Sequence, residues 1–238
     1  MKISVLLATR RREESCVRSI STLADKCSNI ENIEVIFGFD NDDKDTSTKI
    51  IHNINEKFPN LILKYQYFDR LGYARINEYF DELIKLTNED SDLILYYCDD
   101  IDMITQGWDD KLIKFHHDNI FGAYFLNTRH RINSSARPSH SYILWALPKK
   151  WVEITKRYSP VNTADSYVEY VGRAANCLHV LDDIVAYHDR YDNDETQRET
   201  NATRKRINQK AIFGSNRIQE AIAIDAKKIR NYTNTLKN

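Results

Sequence analysis

The sequence predicts an α/β fold in which helices flank a mostly parallel central sheet. Three observations support this prediction. Short apolar runs alternate with helical segments through the first half of the chain, a pattern typical of parallel sheets. The runs are apolar at nearly every position, as expected of strands that are buried on both faces. The chain has 238 residues, of which 42% are hydrophobic, and this suits one large domain.

Four strands are predicted in the first half, over residues 3–8, 33–39, 61–68 and 93–97. Helices are predicted over residues 13–26 and 46–57, and Pro59 ends the second of them. The next helix has the clearest period in the sequence, because its apolar side chains recur at the spacing of one helix face. These side chains are Ile76, Tyr79, Phe80, Leu83 and Ile84.

The second half has a looser pattern. Strands are predicted over residues 120–126 and 141–147, with a polar segment between them, and helices over residues 163–175 and beyond 196. A further short apolar run, 183–187, leads to His188. No internal repeat or flexible linker interrupts the chain. We therefore expect one domain, residues 1–196, followed by a basic helical C-terminal extension, residues 197–238.

The charge of the chain gives no support for nucleic-acid binding, because the formal net charge is −1. The charge is unevenly placed, since ten Lys/Arg stand against three Asp/Glu from Arg198 onward. The remaining body is acidic, and it would need local compensation, such as a divalent cation, to bind an anionic ligand. The basic extension suggests peripheral contact with an anionic membrane or a lipid-linked acceptor. A solvated helical face or a self-association element is the alternative.

The cysteines and the N-terminal sequence favour a cytoplasmic protein. Cys16, Cys27, Cys98 and Cys177 stand far apart without a C-x-x-C pair, which indicates reduced thiols rather than a zinc site or a disulfide framework. Three arginines follow the first apolar run, an order that is wrong for a signal peptide. No apolar stretch approaches the ~18 residues that a membrane span requires.

Unusual polar segments follow three of the predicted strands. They are residues 9–12 (TRRR), 40–43 (DNDD) and 99–102 (DDID). The carboxyl ends of parallel strands open onto one edge of a sheet, and ligands of open α/β sheets bind in the crevice there. We therefore expect arginines and carboxylates to surround a single crevice.

The carboxylates at 99–102 are the most informative of these segments. Two carboxylates ~4 Å apart repel by about 4 kcal/mol at an effective dielectric constant near 20. A hard divalent cation with oxygen ligands removes this repulsion and also accepts phosphate oxygens. A solvated loop is the alternative interpretation. A histidine such as His188, taken by itself, is more often an ordinary surface or core residue.

Taken in order, these segments resemble the GT-A glycosyltransferases, in particular their family-2-like branch. The first strand ends in a threonine-containing loop, ATRRRE at 8–13, and the second in an acidic loop, FDNDDKDT at 39–46. A helix start, GYARIN at 72–77, precedes a DXD-type motif, YCDDID at 97–102, with GWD at 107–109. The resemblance covers residues 1–196, and no single motif is specific.

The resemblance implies a Rossmann-like GT-A fold and a metal-dependent glycosyltransferase that takes a sugar from a nucleotide-diphosphate sugar. The acceptor would be a hydroxyl of a glycan, a lipid-linked molecule or a protein. Residues 1–118 would be the nucleotide-binding half and residues 119–196 the acceptor half. Asp165 would be the general base of an inverting reaction, which we favour over a retaining one.

The resemblance also implies the binding residues. Those for the nucleotide sugar are Thr9, Arg11, Asp40, Asp42, Arg75, Asp99 and Asp100. Those for Mn²⁺ or Mg²⁺ are Asp100, Asp102 and His188. The acidic motif fits in two registers, Asp99-Asp100 or Asp100-x-Asp102, so the metal ligand is left open between them.

One departure from the family pattern is the run of three arginines after Thr9, where an aromatic or small polar residue is usual. These arginines either grip the diphosphate or are exposed. A sugar-phosphate nucleotidyltransferase is an alternative function, but such enzymes usually have a Gly-rich loop after the first strand, and residues 9–12 contain no glycine. A non-catalytic module that binds a nucleotide sugar is the other alternative.

Overall fold

The computed structural model describes residues 1–118, 120–130, 143–189, 195–206 and 209–236 of the chain. The strands are β1 (Lys2–Thr9), β2 (Ile33–Asp40), β3 (Ile62–Phe68), β4 (Ser91–Tyr96), β5 (Ile101–Met103), β6 (Ala123–His130), β7 (Trp145–Pro148) and β8 (Leu178–His188). The α-helices are α1 (Glu13–Asp25), α2 (Lys44–Lys57), α3 (Ile76–Leu83), α4 (Trp108–His117), α5 (Lys149–Thr155), α6 (Ala164–Ala175), α7 (Glu195–Arg206), α8 (Gln209–Gly214) and α9 (Asn216–Thr235).

The strands form one eight-stranded sheet in the order β3-β2-β1-β4-β7-β6-β8-β5. The pairs β1–β2, β2–β3, β1–β4 and β6–β8 are parallel. β7 is antiparallel to both β4 and β6, and β5 is antiparallel to β8. The predicted α/β class with a mostly parallel sheet is therefore confirmed, and β7 and β5 are the strands that run the other way.

Helices cover both faces of this sheet because the strand side chains alternate between two cores. In β1, Ile3, Val5 and Leu7 face one core, while Leu6 faces the other. The first core also contains buried side chains of α1, α2 and α4. The second contains side chains of α3, α5, α6 and α9. The result is a three-layer α/β/α arrangement.

The predicted elements of the first half agree with the structure to within about two residues. In the chain as a whole, one strand and two α-helices of the described residues were not predicted. β5 lies in the segment that the sequence suggested was an acidic loop, and α4 and α5 had no predicted counterpart. β6 and β7 begin three and four residues later than predicted. Residues 131–142, which include most of the polar segment and the predicted start of β7, lie outside the described part of the chain.

The C-terminal helix α9 packs against α6, and its side chains Ile218, Ile222 and Ile229 are buried in the second core. Asp225, also on α9, is fully buried and accepts hydrogen bonds from the Tyr167 hydroxyl at 2.7 Å and from Arg157 Nε at 3.1 Å. This packing makes α9 part of the second core. The boundary at residue 196 stays a prediction.

Two of the basic side chains that suggested a membrane surface have partners within the protein. Lys228 Nζ lies 3.2 Å from Asp225 Oδ1, and Arg230 donates a hydrogen bond to the Ala174 carbonyl. Within the described residues, no helix has both the length and the apolar character that a bilayer crossing demands. The peripheral membrane contact stays a prediction.

Candidate active site

A cavity of about 550 Å³ opens at the carboxyl edge of the sheet, where β1, β2 and β4 end. Six of the residues predicted from the sequence line it: Thr9, Asp40, Asp99, Asp100, Asp165 and His188. The first four come from the ends of β1, β2 and β4. Asp165 lies in the first turn of α6 and His188 ends β8. The fold thus joins both halves of the chain at one crevice.

The loop after β1 contacts the carboxylates after β4. Thr9 Oγ1 donates a hydrogen bond to Asp99 Oδ2 at 2.6 Å, and Arg12 Nη1 donates to Asp99 Oδ1 at 2.8 Å. The same Arg12 nitrogen lies 3.5 Å from Asp100 Oδ2. Both Thr9 and Arg12 line the cavity. The acidic motif is therefore held by hydrogen bonds from the neighbouring strand's loop rather than exposed as a solvated loop.

Arg11 has a different role from its neighbours. Its φ of 54° places its backbone in the left-handed region, and its backbone N–H donates to Asp43 Oδ2 at 2.6 Å. Its side chain is exposed and does not line the cavity. Arg11 thus shapes the turn that lets Arg10 and Arg12 point into the crevice.

Asp40, at the end of β2, is buried, and its carboxylate contacts two polar side chains. Its carboxylate accepts a hydrogen bond from the Tyr79 hydroxyl, and its Oδ2 lies 3.2 Å from Arg10 Nε. Burial raises the pKa of Asp40, against the opposing effect of the Tyr79 hydrogen bond. Arg10 Nη2 also lies 2.8 Å from the exposed Asp42, which is not part of the cavity wall. The hydrogen bond from Arg10 lowers the pKa of Asp42.

Asp99 and Asp100 differ in their electrostatic surroundings although they are adjacent. Burial raises the pKa of Asp99 despite the nearby Arg12 guanidinium. Burial also acts to raise the pKa of Asp100, but its hydrogen bond and charge interaction with His188 outweigh this, so the pKa is lowered. His188 Nε2 lies 3.2 Å from Asp100 Oδ1. Of these two carboxylates, Asp100 thus has the lower pKa.

Asp102 does not line the cavity. It lies in β5, is 3% exposed, and its Oδ1 accepts a hydrogen bond from Arg18 Nε at 3.0 Å. Of the three residues predicted to bind metal, the structure brings Asp100 and His188 together but not Asp102. The described ranges contain no group of three His, Cys, Asp or Glu side chains that could hold a metal ion. A carboxylate and an imidazole are nevertheless suitable ligands for Mn²⁺, so this pair fits a metal whose other ligands come from a substrate.

Two other predicted residues have clear positions. Arg75 is exposed, is absent from the cavity wall and pairs with Glu78, with Nε 2.7 Å from Oε1. Asp165 is half-buried at the cavity, and its Oδ1 accepts a hydrogen bond from the Ser166 backbone N–H at 2.8 Å.

Sequence reasoning missed an aromatic wall of the cavity. The rings of Tyr96 and Tyr158 stack with centroids 4.3 Å apart, and Trp145 stacks beside them, 5.4 Å from Tyr96. All three residues line the cavity. Apolar runs indicated strands containing Tyr96 and Trp145, but no sequence signal tells which strand residues reach a cavity.

The C-terminal segment also reaches the cavity. Glu199, Thr200 and Thr203 of α7 contribute to its wall, and Glu199 forms an ion pair with Arg70, another lining residue. α7 was predicted as a helix of the extension, but nothing in its sequence indicated contact with the site.

The sheet order and the crevice define the chain's class. It has the GT-A nucleotide-diphospho-sugar transferase fold, as comparison with solved structures shows. No family model matches the sequence, and neither does any curated protein.

Similar solved structures share the fold at low sequence identity. S. aureus TarS 1-349 in complex with UDP-GlcNAc has a TM-score of 0.65 and 16% identity, and the match covers 82% of this chain and 60% of that one. The mannosyltransferase PcManGT from Pyrobaculum calidifontis, in complex with GDP-Man and Mn²⁺, has a TM-score of 0.65 and 14% identity, with 98% and 73% covered. This chain thus spans less than two thirds of the matched TarS chain.

Proposed function

We propose that this protein is a metal-assisted glycosyltransferase that moves a sugar from a nucleotide-diphosphate sugar to an acceptor hydroxyl. One observation carries the proposal. Asp165 and His188, from the later half of the chain, line the same cavity as the strand-end residues Asp40, Asp99 and Asp100. Solved proteins of this fold include complexes with UDP-GlcNAc and with GDP-Man, which supports this donor class.

In this proposal the ends of β1 and β2 bind the nucleoside. Asp40 accepts a hydrogen bond from an N–H of the base, because its carboxylate keeps lone pairs beyond those used by Tyr79 and Arg10. Thr9 lies between the base and ribose positions and fixes Asp99 for the ribose hydroxyls. Arg10 and Arg12 supply positive charge near the diphosphate.

Asp100 and His188 would hold Mn²⁺ or Mg²⁺, with phosphate oxygens as further ligands. The bound cation would neutralise the charge that develops on the departing nucleoside diphosphate. The adjacency of the two side chains favours the Asp99-Asp100 register of the acidic motif. Asp102, already bonded to Arg18, is then a structural residue.

Asp165 is the proposed general base. It sits at the cavity in the first turn of α6, where its carboxylate takes the proton of the acceptor hydroxyl as that oxygen attacks the anomeric carbon. The glycosidic bond to the diphosphate breaks on the opposite face, so the reaction inverts the anomeric centre. The acceptor is a glycan, a lipid-linked molecule or a protein.

The test is calorimetric titration of the protein with UDP, GDP, CDP and ADP, each with and without Mn²⁺. Binding of one nucleotide in preference to the others, strengthened by Mn²⁺, is expected. As a control, the variant Asp183→Asn should bind nucleotides with the same affinity as the wild type, because Asp183 is exposed on β8 and pairs with Lys111. If none of the four nucleotides binds, the proposal is wrong. If a nucleotide sugar binds but no sugar is released or transferred, the chain is a binding module.

A further inference from the structure

The positively charged guanidinium of Arg12 lies beside the carboxylates of Asp99 and Asp100. Its side chain is only 8% exposed, and Nη1 lies 2.8 Å from Asp99 Oδ1 and 3.5 Å from Asp100 Oδ2. The other oxygen of Asp99 accepts the hydrogen bond from Thr9. Arg12 thus contacts both carboxylates of the motif, and Asp99 is the nearer of the two.

A cation bound by Asp100 would lie beside Arg12. One oxygen of Asp100 faces His188 at 3.2 Å and the other faces Arg12 at 3.5 Å. A divalent ion and a guanidinium so close together repel strongly, because buried surroundings screen charge poorly. The two carboxylates carry two negative charges, of which Arg12 already compensates one. The two or more negative charges of a donor diphosphate remove this excess of positive charge.

We propose that Arg12 is an internal counter-ion of the Asp99–Asp100 pair, so that a divalent cation binds together with the donor diphosphate and not before it. This inference rests on the proposed function, because it takes a nucleoside diphosphate as the ligand. Arg12 holds the carboxylates in place while the site is empty. When the diphosphate enters, the guanidinium pairs with it and leaves Asp100 to the cation.

The backbone of the loop suits this role. Arg12 precedes the first turn of α1, and the preceding residue, Arg11, is fixed by its bond to Asp43. The Arg12 backbone carbonyl accepts the first hydrogen bond of the helix, from Cys16 N at 2.9 Å. The main chain is thus held on both sides, and rotation of the side chain alone redirects the guanidinium within the cavity that it lines.

The experiment measures Mn²⁺ binding without any turnover, by electron paramagnetic resonance of free Mn²⁺. Wild-type protein, Arg12→Met and Arg12→Lys are titrated first without nucleotide. The wild type and Arg12→Lys should bind Mn²⁺ weakly, whereas Arg12→Met should bind it at least ten-fold more tightly. Arg173→Met is the control for loss of one positive charge, because Arg173 is an exposed residue of α6 paired with Glu169. It should behave as the wild type.

A second titration adds the nucleoside diphosphate that binds best, and the Mn²⁺ that this nucleotide binds in a protein-free titration is subtracted. The nucleotide should tighten Mn²⁺ binding to the wild type at least ten-fold and to Arg12→Met much less, because the repulsion is already absent there. Equal Mn²⁺ affinity of the wild type with and without a nucleotide that does bind would overturn the inference, as would unchanged affinity in a folded Arg12→Met. If Arg12→Met does not fold, Arg12→Gln replaces it, because the neutral amide removes the positive charge and still donates a hydrogen bond to Asp99. Failure of every nucleotide to bind refutes the proposed function, while the nucleotide-free comparison still tests Arg12.

Discussion

Arg18 and Asp102 form an ion pair that fixes the neighbourhood of the acidic motif. Arg18 Nε lies 3.0 Å from Asp102 Oδ1, and its Nη1 lies 3.0 Å from Asp189 Oδ2. Asp189 follows His188, and its backbone N–H donates to the Asp100 carbonyl at 2.7 Å. One arginine of α1 therefore ties together the two chain segments that carry Asp100 and His188.

This arrangement predicts different effects for two aspartates of the same motif. Asp100→Asn should weaken Mn²⁺-dependent nucleotide binding ten-fold or more, about 1.4 kcal/mol, because it removes the ionised ligand. Asp102→Asn should change that affinity by less than two-fold. It should instead lower the free energy of unfolding by about 1–3 kcal/mol, because the buried acceptor of the hydrogen bond from Arg18 loses its negative charge. Calorimetry measures the nucleotide affinity, and urea unfolding measures the stability. A ten-fold loss of affinity in Asp102→Asn would instead indicate that Asp102 is a metal ligand.

The sequence predicted the first four strands well for a physical reason. β1, β2 and β4 are buried on both faces and therefore nearly apolar throughout, so their runs are conspicuous, whereas β3 is a partly exposed edge strand. β5 has three residues, too few for any period to be visible. β7 lies antiparallel between β4 and β6. This arrangement depends on long-range packing and cannot be predicted from the local pattern of apolar residues.

The candidate site was partly predictable for a related reason. Strand ends of a parallel sheet share an edge, so Thr9, Asp40 and Asp99 were expected together and they line one cavity. The position of Asp102 was not predictable. Asp102 lies in β5, which begins at Ile101, and because side chains alternate along a strand, its direction depends on a strand that the sequence did not reveal. The contribution of α7 to the cavity wall depends on how the chain folds back to the cavity. The polar sequence of α7 does not indicate this.

Two half-buried histidines predict how stability changes with pH. Burial lowers the pKa of His116 and of His179 below the ordinary value of 6.5. His116 Nδ1 lies 2.8 Å from the Tyr124 hydroxyl. As the pH falls below 6.5, the unfolded chain takes up more protons at these histidines than the folded protein does. Their contribution to stability is therefore complete above pH 6.5 and declines below it until the lowered folded-state pKa is passed.

We expect the double variant His116→Gln, His179→Gln to lose less stability than the wild type between pH 7 and pH 5. Each histidine contributes at most about 1.4 kcal/mol per pH unit. Urea unfolding at several pH values measures this slope, with His52→Gln as control because His52 is exposed on α2. Equal slopes in the wild type and the double variant would show that other groups cause the pH dependence.

The buried carboxylate of Asp225 predicts that the C-terminal helix is required for folding. Asp225 is fully buried and bonds to Tyr167 and Arg157. Asp225→Ala should lower the free energy of unfolding by about 3 kcal/mol, since both partners lose their acceptor. A chain of residues 1–196 should fail to fold, because removing α9 exposes the apolar face of α6. Circular dichroism with thermal melting measures both, and a cooperative melt of the short chain near the wild-type temperature would instead support an independent domain ending at 196.

Asp165 gives the sharpest test of the catalytic proposal. Asp165→Asn keeps the size of the side chain, and the amide oxygen still accepts the hydrogen bond from Ser166 N–H, so the first turn of α6 is preserved. It removes the base, and turnover should fall by about 10²–10⁴-fold while donor affinity stays nearly constant. Excess Mn²⁺ should not restore the rate, whereas it should partly restore the rate of His188→Ala, which lacks one of the two proposed metal ligands. The measurement is sugar transfer to a true acceptor under both metal conditions, with Asp182→Asn as control. Near-normal transfer by Asp165→Asn would mean that the base lies elsewhere or that the enzyme retains the anomeric configuration.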